Sequence, residues 1–338
     1  MSIHESPKKA QKRENPPLKS LPARRPNGPE CSHSLENIEV KRPQLVEVPE
    51  NKEVSVGWKL AWKDGAFKRL SKIQKHRARS REVVSEIEEN HQNTVVAEKA
   101  ETLSECGNYL RFRHWRKVSK TRLVTANFCK CFILCTFCAS LRASKYCEKF
   151  VVVILEVLKT MPDLRVVHMV LSCENVESAE EAIERLSDAR KRVLKHLRQS
   201  NKGSRHKSAL RGVEGGIWVM EVKKGRGSKK WHPHYHVLLL TRRKINQNDM
   251  WDEWRKATKC PKVALPWLAE HGRGEQEILK VCLELFKYMI KPGSCTPAEL
   301  IEVHNAVFKK YRLIQSFGCL RGVQIDEDDI GEKGREEW

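Results

Sequence analysis

Apolar and polar positions follow a strand-like pattern most clearly between residues 213 and 241. Gly215-Gly216 leads into the apolar segment Ile217 to Lys223, which reads as a strand. A Gly- and Lys-rich loop, Lys224 to Lys230, turns the chain back, and Trp231-His232-Pro233-His234-Tyr235-His236 runs into the aliphatic Val237 to Leu240. Two such runs around a glycine-bearing loop predict a β-hairpin. Alternate residues of a strand share a face, so His232, His234 and His236 project together, and Glu221, near the end of the outgoing strand, is placed to face them.

Elsewhere the pattern alternates between short strands and longer helices. Leu164 to Ser172 (LRVVHMVLS) is β-branched and apolar, a buried strand ended by Cys173-Glu174-Asn175. Ser178-Ala179-Glu180-Glu181 has the form of a capping box, with a helix to about Gln199. A short helix containing Trp251 and Trp254 precedes a longer one from Glu275 to Lys291, which Pro292-Gly293 ends. On that longer helix Glu284, Lys287, Tyr288 and Lys291 fall within an arc of about 100°, while Ile278, Leu279, Cys282, Leu283, Leu285, Phe286, Met289 and Ile290 cover the rest. Upstream, Val56 to about Ala100 is helical in pattern, with Trp58, Leu60, Ala61, Phe67, Leu70 and Ile73 on one stripe.

Composition adds a partner. Among 338 residues the formal net charge is +21, which points to a polyanion, nucleic acid before an acidic membrane. Arg190 to Arg211 holds nine basic residues and no acidic one, a phosphate-binding surface in which Arg190, Arg192, Lys195 and Arg198 are the candidate DNA contacts, with Lys287 as a fifth. No apolar run reaches the roughly 18 residues of a membrane span, and residues 1–27 lack the apolar core of a secretion signal. A cytoplasmic location follows as the expectation. In that reducing compartment the twelve cysteines read as thiols or metal ligands. Four of them, Cys129, Cys131, Cys135 and Cys138, are close enough in sequence to surround a structural Zn²⁺, with Cys106, His114 or Cys147 as alternatives for one position. Residues 1–50 hold eight of the fourteen prolines and are expected to be disordered.

The histidine strand and the late tyrosine suggest one chemistry. A phenol, with a pKa of about 10, is a poor nucleophile until a metal polarises the phosphate and nearby lysines absorb the growing charge. Two imidazoles and a carboxylate supply the metal site, Tyr288 the nucleophile, and Lys291 a cation one turn on. Glu284, one turn before Tyr288, can activate water or accept a proton.

These residues resemble a known family. His234-Tyr235-His236 is similar to the His-hydrophobe-His motif of HUH endonucleases. Glu284-Leu285-Phe286-Lys287-Tyr288-Met289-Ile290-Lys291 resembles the third motif of plasmid rolling-circle replication initiators of the Rep_1 type, and Val167 to Ser172 sits where their first motif would, without its threonines. The resemblance covers about residues 105 to 315. It implies that His234 and His236 bind Mg²⁺ or Mn²⁺, with Glu221 as third ligand. It also implies that Tyr288 attacks DNA, Lys291 contacts the scissile phosphate and Glu284 helps end the cycle. His232 would lie behind the metal pair or face DNA. Single-stranded origin DNA is the implied substrate, and a host helicase a candidate partner. Tyr146 has Lys149 after it but Arg142 where the carboxylate belongs, and Tyr311 lacks both partners, which favours Tyr288.

The implied fold is α+β: an antiparallel-sheet, ferredoxin/RRM-like HUH nuclease domain with helices packed on it. The expected organisation is a proline-rich N-terminus (1–50), a charged helical extension (51–104), a Cys-rich zinc element and helix (105–160), the HUH domain (161–322) and an acidic tail (323–338). Two other readings stay open: a non-catalytic, zinc-dependent DNA-binding regulator, and a single-tyrosine HUH transposase.

Overall fold

The histidine hairpin forms the middle of a five-stranded antiparallel sheet. The computed structural model describes residues 66–92, 94–115, 120–203, 205, 207–225, 229–287, 295–308 and 310–323, with side chains described outside 66–73 and 110–126. The proline-rich N-terminus, the apolar positions before residue 66, the tail from 324 and the segment holding Tyr288 and Lys291 lie outside the described residues.

In chain order the elements are α1 (Ala66–Asn90), α2 (Ala100–Ser104), β1 (Leu110–Trp115), β2 (Lys120–Ala126), α3 (Thr136–Thr160), β3 (Arg165–Ser172), α4 (Ala179–Asn201), β4 (Val213–Lys224), β5 (Trp231–Thr241), α5 (Gln247–Thr258), β6 (Trp267–His271), α6 (Glu275–Phe286), α7 (Pro297–Val307) and β7 (Ile314–Gly318). β1 and β2 form a separate hairpin; the main sheet has the order β6-β3-β5-β4-β7. Every pairing in it is antiparallel. The α+β reading is therefore correct.

Helices cover both faces of this sheet. One face carries Val167, Met169, Leu171, Trp218, Met220, Tyr235, Val237 and Leu239, and packs against the apolar sides of α4, α5 and α7. The other carries Val166, Ile217, Val219, Leu238 and Leu240, and packs against α3 and α6. Because strand side chains alternate, His234 and His236 belong to this second face, continuing the row of Leu240 and Leu238. The face is thus apolar at one end, where Phe150, Ile154, Ile278 and Leu285 fill it, and polar at the other. A third cluster, remote from the sheet, joins Val83 and Ile87 of α1 to Leu134, Phe137, Leu300 and Ile301.

Several boundaries differ from those read in the sequence, each for a local reason. α3 begins at Thr136, directly after the cysteine cluster and before the basic Arg142 and Lys145, because the Cys135 sulfur caps it by accepting the Cys138 backbone N–H. β4 starts at Val213, so Gly215 and Gly216 lie inside the strand, where β7 crosses close to their backbone. Ser178 caps α4 by accepting the Glu181 N–H at 3.2 Å, but Glu181 bonds Arg185 instead of closing the box. The reciprocal capping box is at Thr296 and Glu299, opening α7 with Pro297 in its first turn. The β1–β2 hairpin, β6, α7 and β7 carry patterns too short for periodicity to single out. α6 ends at Phe286 with Lys287 as its cap, and its Leu283, expected on the apolar side, is exposed.

Gly318 closes β7 at φ +62°, where a Cβ would run into the Glu214 carbonyl oxygen. Gly318→Ala is expected to destabilise the chain by more than about 1 kcal/mol, measured as a lower midpoint in urea unfolding.

Candidate active site

The β4–β5 register brings the candidate metal ligands together. Glu221 pairs directly with His234 and Val219 with His236, so one carboxylate and two imidazoles share a face within one turn of the sheet pleat. All three are buried. Glu221 Oε2 meets His234 Nε2, and it lies 3.0 Å from His236 Nε2. The three donor atoms lie within 4.8 Å of one another. Lys223 Nζ donates to the other carboxylate oxygen at 3.2 Å. Burial alone would raise the Glu221 carboxyl, but the two imidazole contacts, with the His234 and Lys223 charges, outweigh it and hold the group well below the carboxylate range. Burial lowers His236, against the pull of Glu221. A neutral imidazole keeps the nitrogen lone pair that a metal needs.

One carboxylate oxygen and two imidazole nitrogens converging on one point suit a divalent transition ion with open positions left for a substrate. The His234 Nδ1 is buried with no hydrogen-bond partner among the described residues. His232, third in the series, is directed away by a 2.7 Å bond between its Nδ1 and Asn175 Oδ1, and is not part of the converging set.

Two elements bring further groups to this face. β3 contributes His168, whose ring centroid is 5.8 Å from that of His236. Burial, then the neighbouring His236 and His271, lowers His168 to about 4, so it is neutral near pH 7. The charges of Glu284 and Lys287 act on it in opposite senses, and α6, which carries them at its C-terminal end, packs against β5 and β6 on this face. Glu284 and Lys287 pair with each other there. β6 contributes Trp267, edge-on to His168 at 5.3 Å, and His271 at 6.1 Å. The sequence reading gave none of these three a role. Alternation along Arg165–Ser172 would have placed His168 on the histidine face; nothing local marks Trp267.

Four tyrosines are described, and none is among the side chains that converge at the triad; Tyr109, just before β1, is 37% exposed. Tyr235 is buried on the opposite face, between Trp218 and Trp254, and Tyr311 packs on that same side. Tyr146 is stacked on Phe150 and Phe286 at 6.2 and 5.7 Å. Tyr288 and Lys291 lie outside the described residues; Tyr288 follows Lys287 directly in the chain.

The basic helix α4 covers the face opposite the triad, so Arg190, Arg192, Lys195 and Arg198 are on the other side of the sheet from the histidines. Arg192 is engaged with the Ala257 carbonyl at 2.6 Å, and Arg198 with the Leu194 carbonyl at 3.1 Å. Arg190 lies beside the buried Tyr235 phenol, whose pKa burial pushes up. Lys195 is exposed.

The thiol cluster differs from the expected set by one residue. Cys106, Cys129, Cys135 and Cys138 form the group, and Cys131 is left out, its sulfur turned to the Cys129 carbonyl at 3.3 Å. Cys106–Cys135, Cys106–Cys138 and Cys129–Cys138 sulfurs are each 3.6 Å apart. That is far longer than a disulfide, and close to the roughly 3.8 Å edge of a tetrahedron with 2.3 Å zinc–sulfur bonds. Hydrogen bonds from Cys106, Cys129 and Cys138 hold the Cys135 thiol below its usual range despite burial. Cys147 lies in the core between α3 and α6, where burial raises it to about 11. The His114 side chain is outside the described residues.

Residues 120–336 match the family model Rep_1, described as replication protein. A "Protein rep" of Streptococcus pneumoniae is 27% identical over 236 residues, 65% of this chain and 68% of that protein. Another, of a Bacillus species, is 28% identical over 242 residues, covering 69% and 72%. A third, from Bacillus amyloliquefaciens, is 29% identical over 169 residues, covering 48% and 46%. No solved structure matches with comparable significance. With its matched segment spanning most of the sheet and the triad, the chain belongs to the Rep_1 family of replication proteins, the plasmid replication initiators that its motifs resemble.

Proposed function

We propose that this chain nicks and rejoins one strand of origin DNA through a covalent tyrosine–DNA link, and so starts rolling-circle replication. The observation that carries the reading is the meeting of Glu221, His234 and His236 on the sheet face over which α6 delivers its C-terminal end. The next residue in sequence is Tyr288. Tyr235 and Tyr311 are on the opposite face, Tyr146 is held in an aromatic stack and Tyr109 stands outside the sheet, just before β1, while the order of histidines, Glu284, Tyr288 and Lys291 favours Tyr288 as nucleophile.

Glu221, His234 and His236 would hold a divalent ion, Mn²⁺ suiting the nitrogen donors better than Mg²⁺. Such an ion supplies Lewis-acid polarisation of the phosphate. The Tyr288 oxygen attacks phosphorus, a P–O bond to the tyrosine forms, and the bond to the 3′ oxygen breaks. That oxygen takes a proton and leaves as a free hydroxyl, so the ester count is unchanged and no water is consumed. Lys291 neutralises charge on the phosphate, and Lys287 assists. Glu284 takes the proton of the second nucleophile when the strand is rejoined. In this reading Arg190, Arg192, Lys195 and Arg198, across the sheet, serve a different stretch of DNA from the nicked one. A structural Zn²⁺ on Cys106, Cys129, Cys135 and Cys138 completes the assignment.

The test is a single-stranded origin oligonucleotide incubated with the full chain and Mn²⁺. A covalent adduct should form on denaturing gels and vanish in Tyr288→Phe, with cleavage reduced at least a hundredfold. An adduct surviving that change would remove Tyr288 from its role, and cleavage absent with every metal would leave the zinc-dependent regulator as the better reading. For the thiol cluster, Cys106→Ser should lose zinc as fully as Cys135→Ser, while Cys131→Ser retains it, measured as metal content of the purified chain.

A further inference from the structure

Trp267 stands out among the residues around the triad because nothing in its own packing accounts for its position. It opens the edge strand β6, in the cross-strand row of Val170 and His236, and 51% of its surface is exposed. Leu265, two residues before it, is 53% exposed as well. Isolated exposed apolar residues are ordinary; a large aromatic one packed edge-on to a buried histidine beside a metal triad is not. His168 is buried, and its Nε2 has no hydrogen-bond partner among the described residues. The same is true of His271 Nε2. Charged groups border this patch: Lys280, which acts on His271, and Lys287, which acts on His168 and is paired there with Glu284. Seven residues apart on α6, these lysines lie on one stripe.

A flat aromatic surface, neutral ring nitrogens able to donate or accept, and flanking positive charge together fit an unpaired nucleobase between two phosphates. A base within a duplex offers no free face for stacking, and an apolar protein partner would leave the imidazole nitrogens without partners. We propose that Trp267, with His168 and His271 beside it, is a binding subsite for one unpaired base of the DNA strand, next to the scissile phosphate. The inference rests on the nicking reading for the presence of a single strand at this face. The stacked base fixes the strand so that its phosphate, rather than another, lies over Glu221, His234 and His236.

The test measures binding without cleavage. A short fluorescein-labelled deoxyadenylate strand, and an abasic strand of equal length, are titrated into the full chain in EDTA at fixed salt and followed by anisotropy. Trp267→Ala should bind the deoxyadenylate strand about tenfold more weakly, with no change for the abasic strand, and Trp267→Phe should recover most of the loss. Unchanged affinity of Trp267→Ala for the deoxyadenylate strand would overturn the subsite, as would an equal loss for both strands. Adduct formation is read separately with Mn²⁺. A chain that forms no adduct but shows the base-dependent loss keeps the subsite and loses the nicking step; the reverse pattern does the opposite.

Discussion

The interaction on which this architecture turns is the pairing of Glu221 with two imidazoles inside the sheet. A carboxylate that is 3% exposed would ordinarily be costly to ionise, and it is held ionised only because His234, His236 and Lys223 surround it. The register of β4 against β5 fixes that arrangement. A slip of β5 by one residue would turn both histidines onto the opposite face, among Trp218 and Trp254, and part them from Glu221 on β4. The hydrophobic rows flanking the triad therefore hold the site in register as well as the sheet.

Two consequences follow for the helices. The face opposite the triad is wholly apolar along the middle strands and is sealed by α4, α5 and α7, with Trp254 anchored by a 2.7 Å hydrogen bond to the Ser172 carbonyl. Among the described residues the triad face is covered unevenly. α3 and α6 cover its aliphatic end and leave the polar end to His168, Trp267 and the C-terminal turn of α6. The large basic surface of α4 lies on the other side, so charge and chemistry are separated by the thickness of the sheet.

The thiol cluster belongs to a different unit of packing. It joins the end of α2, the exit of β2 and the first turn of α3, and it sits against α1 through Ser80, whose hydroxyl lies 3.6 Å from the Cys135 sulfur. Its neighbours Val83, Ile87, Leu134 and Phe137 form a core separate from those of the sheet. α3 connects the two: its first turn carries Cys138, and its later turns place Phe150 and Ile154 under the triad face. The four clustered sulfurs, those of Cys135 and Cys138 at the start of that helix, tie its first turn to the chain after α2 and β2.

What the chain by itself determined is local and periodic. Alternation placed His234 and His236 on one face and Glu221 opposite them, since a hairpin with a short loop has few registers to choose from. The strand at 165–172, the helix at 179–201 and the approximate course of α6 were legible for the same reason, and the α+β class follows from them. What only the tertiary structure decided depends on separations that no window spans. Cys106 replaced Cys131 because a tetrahedron is filled by whichever sulfur the fold brings near, not the nearest in sequence. Trp267 came beside His168 through an edge pairing across about a hundred residues, and the basic helix went to the far side of the sheet because its apolar stripe matched the larger aromatic core. Sequence patterns report which way a side chain points within its own element; which element it then meets is settled by how the faces close over one another.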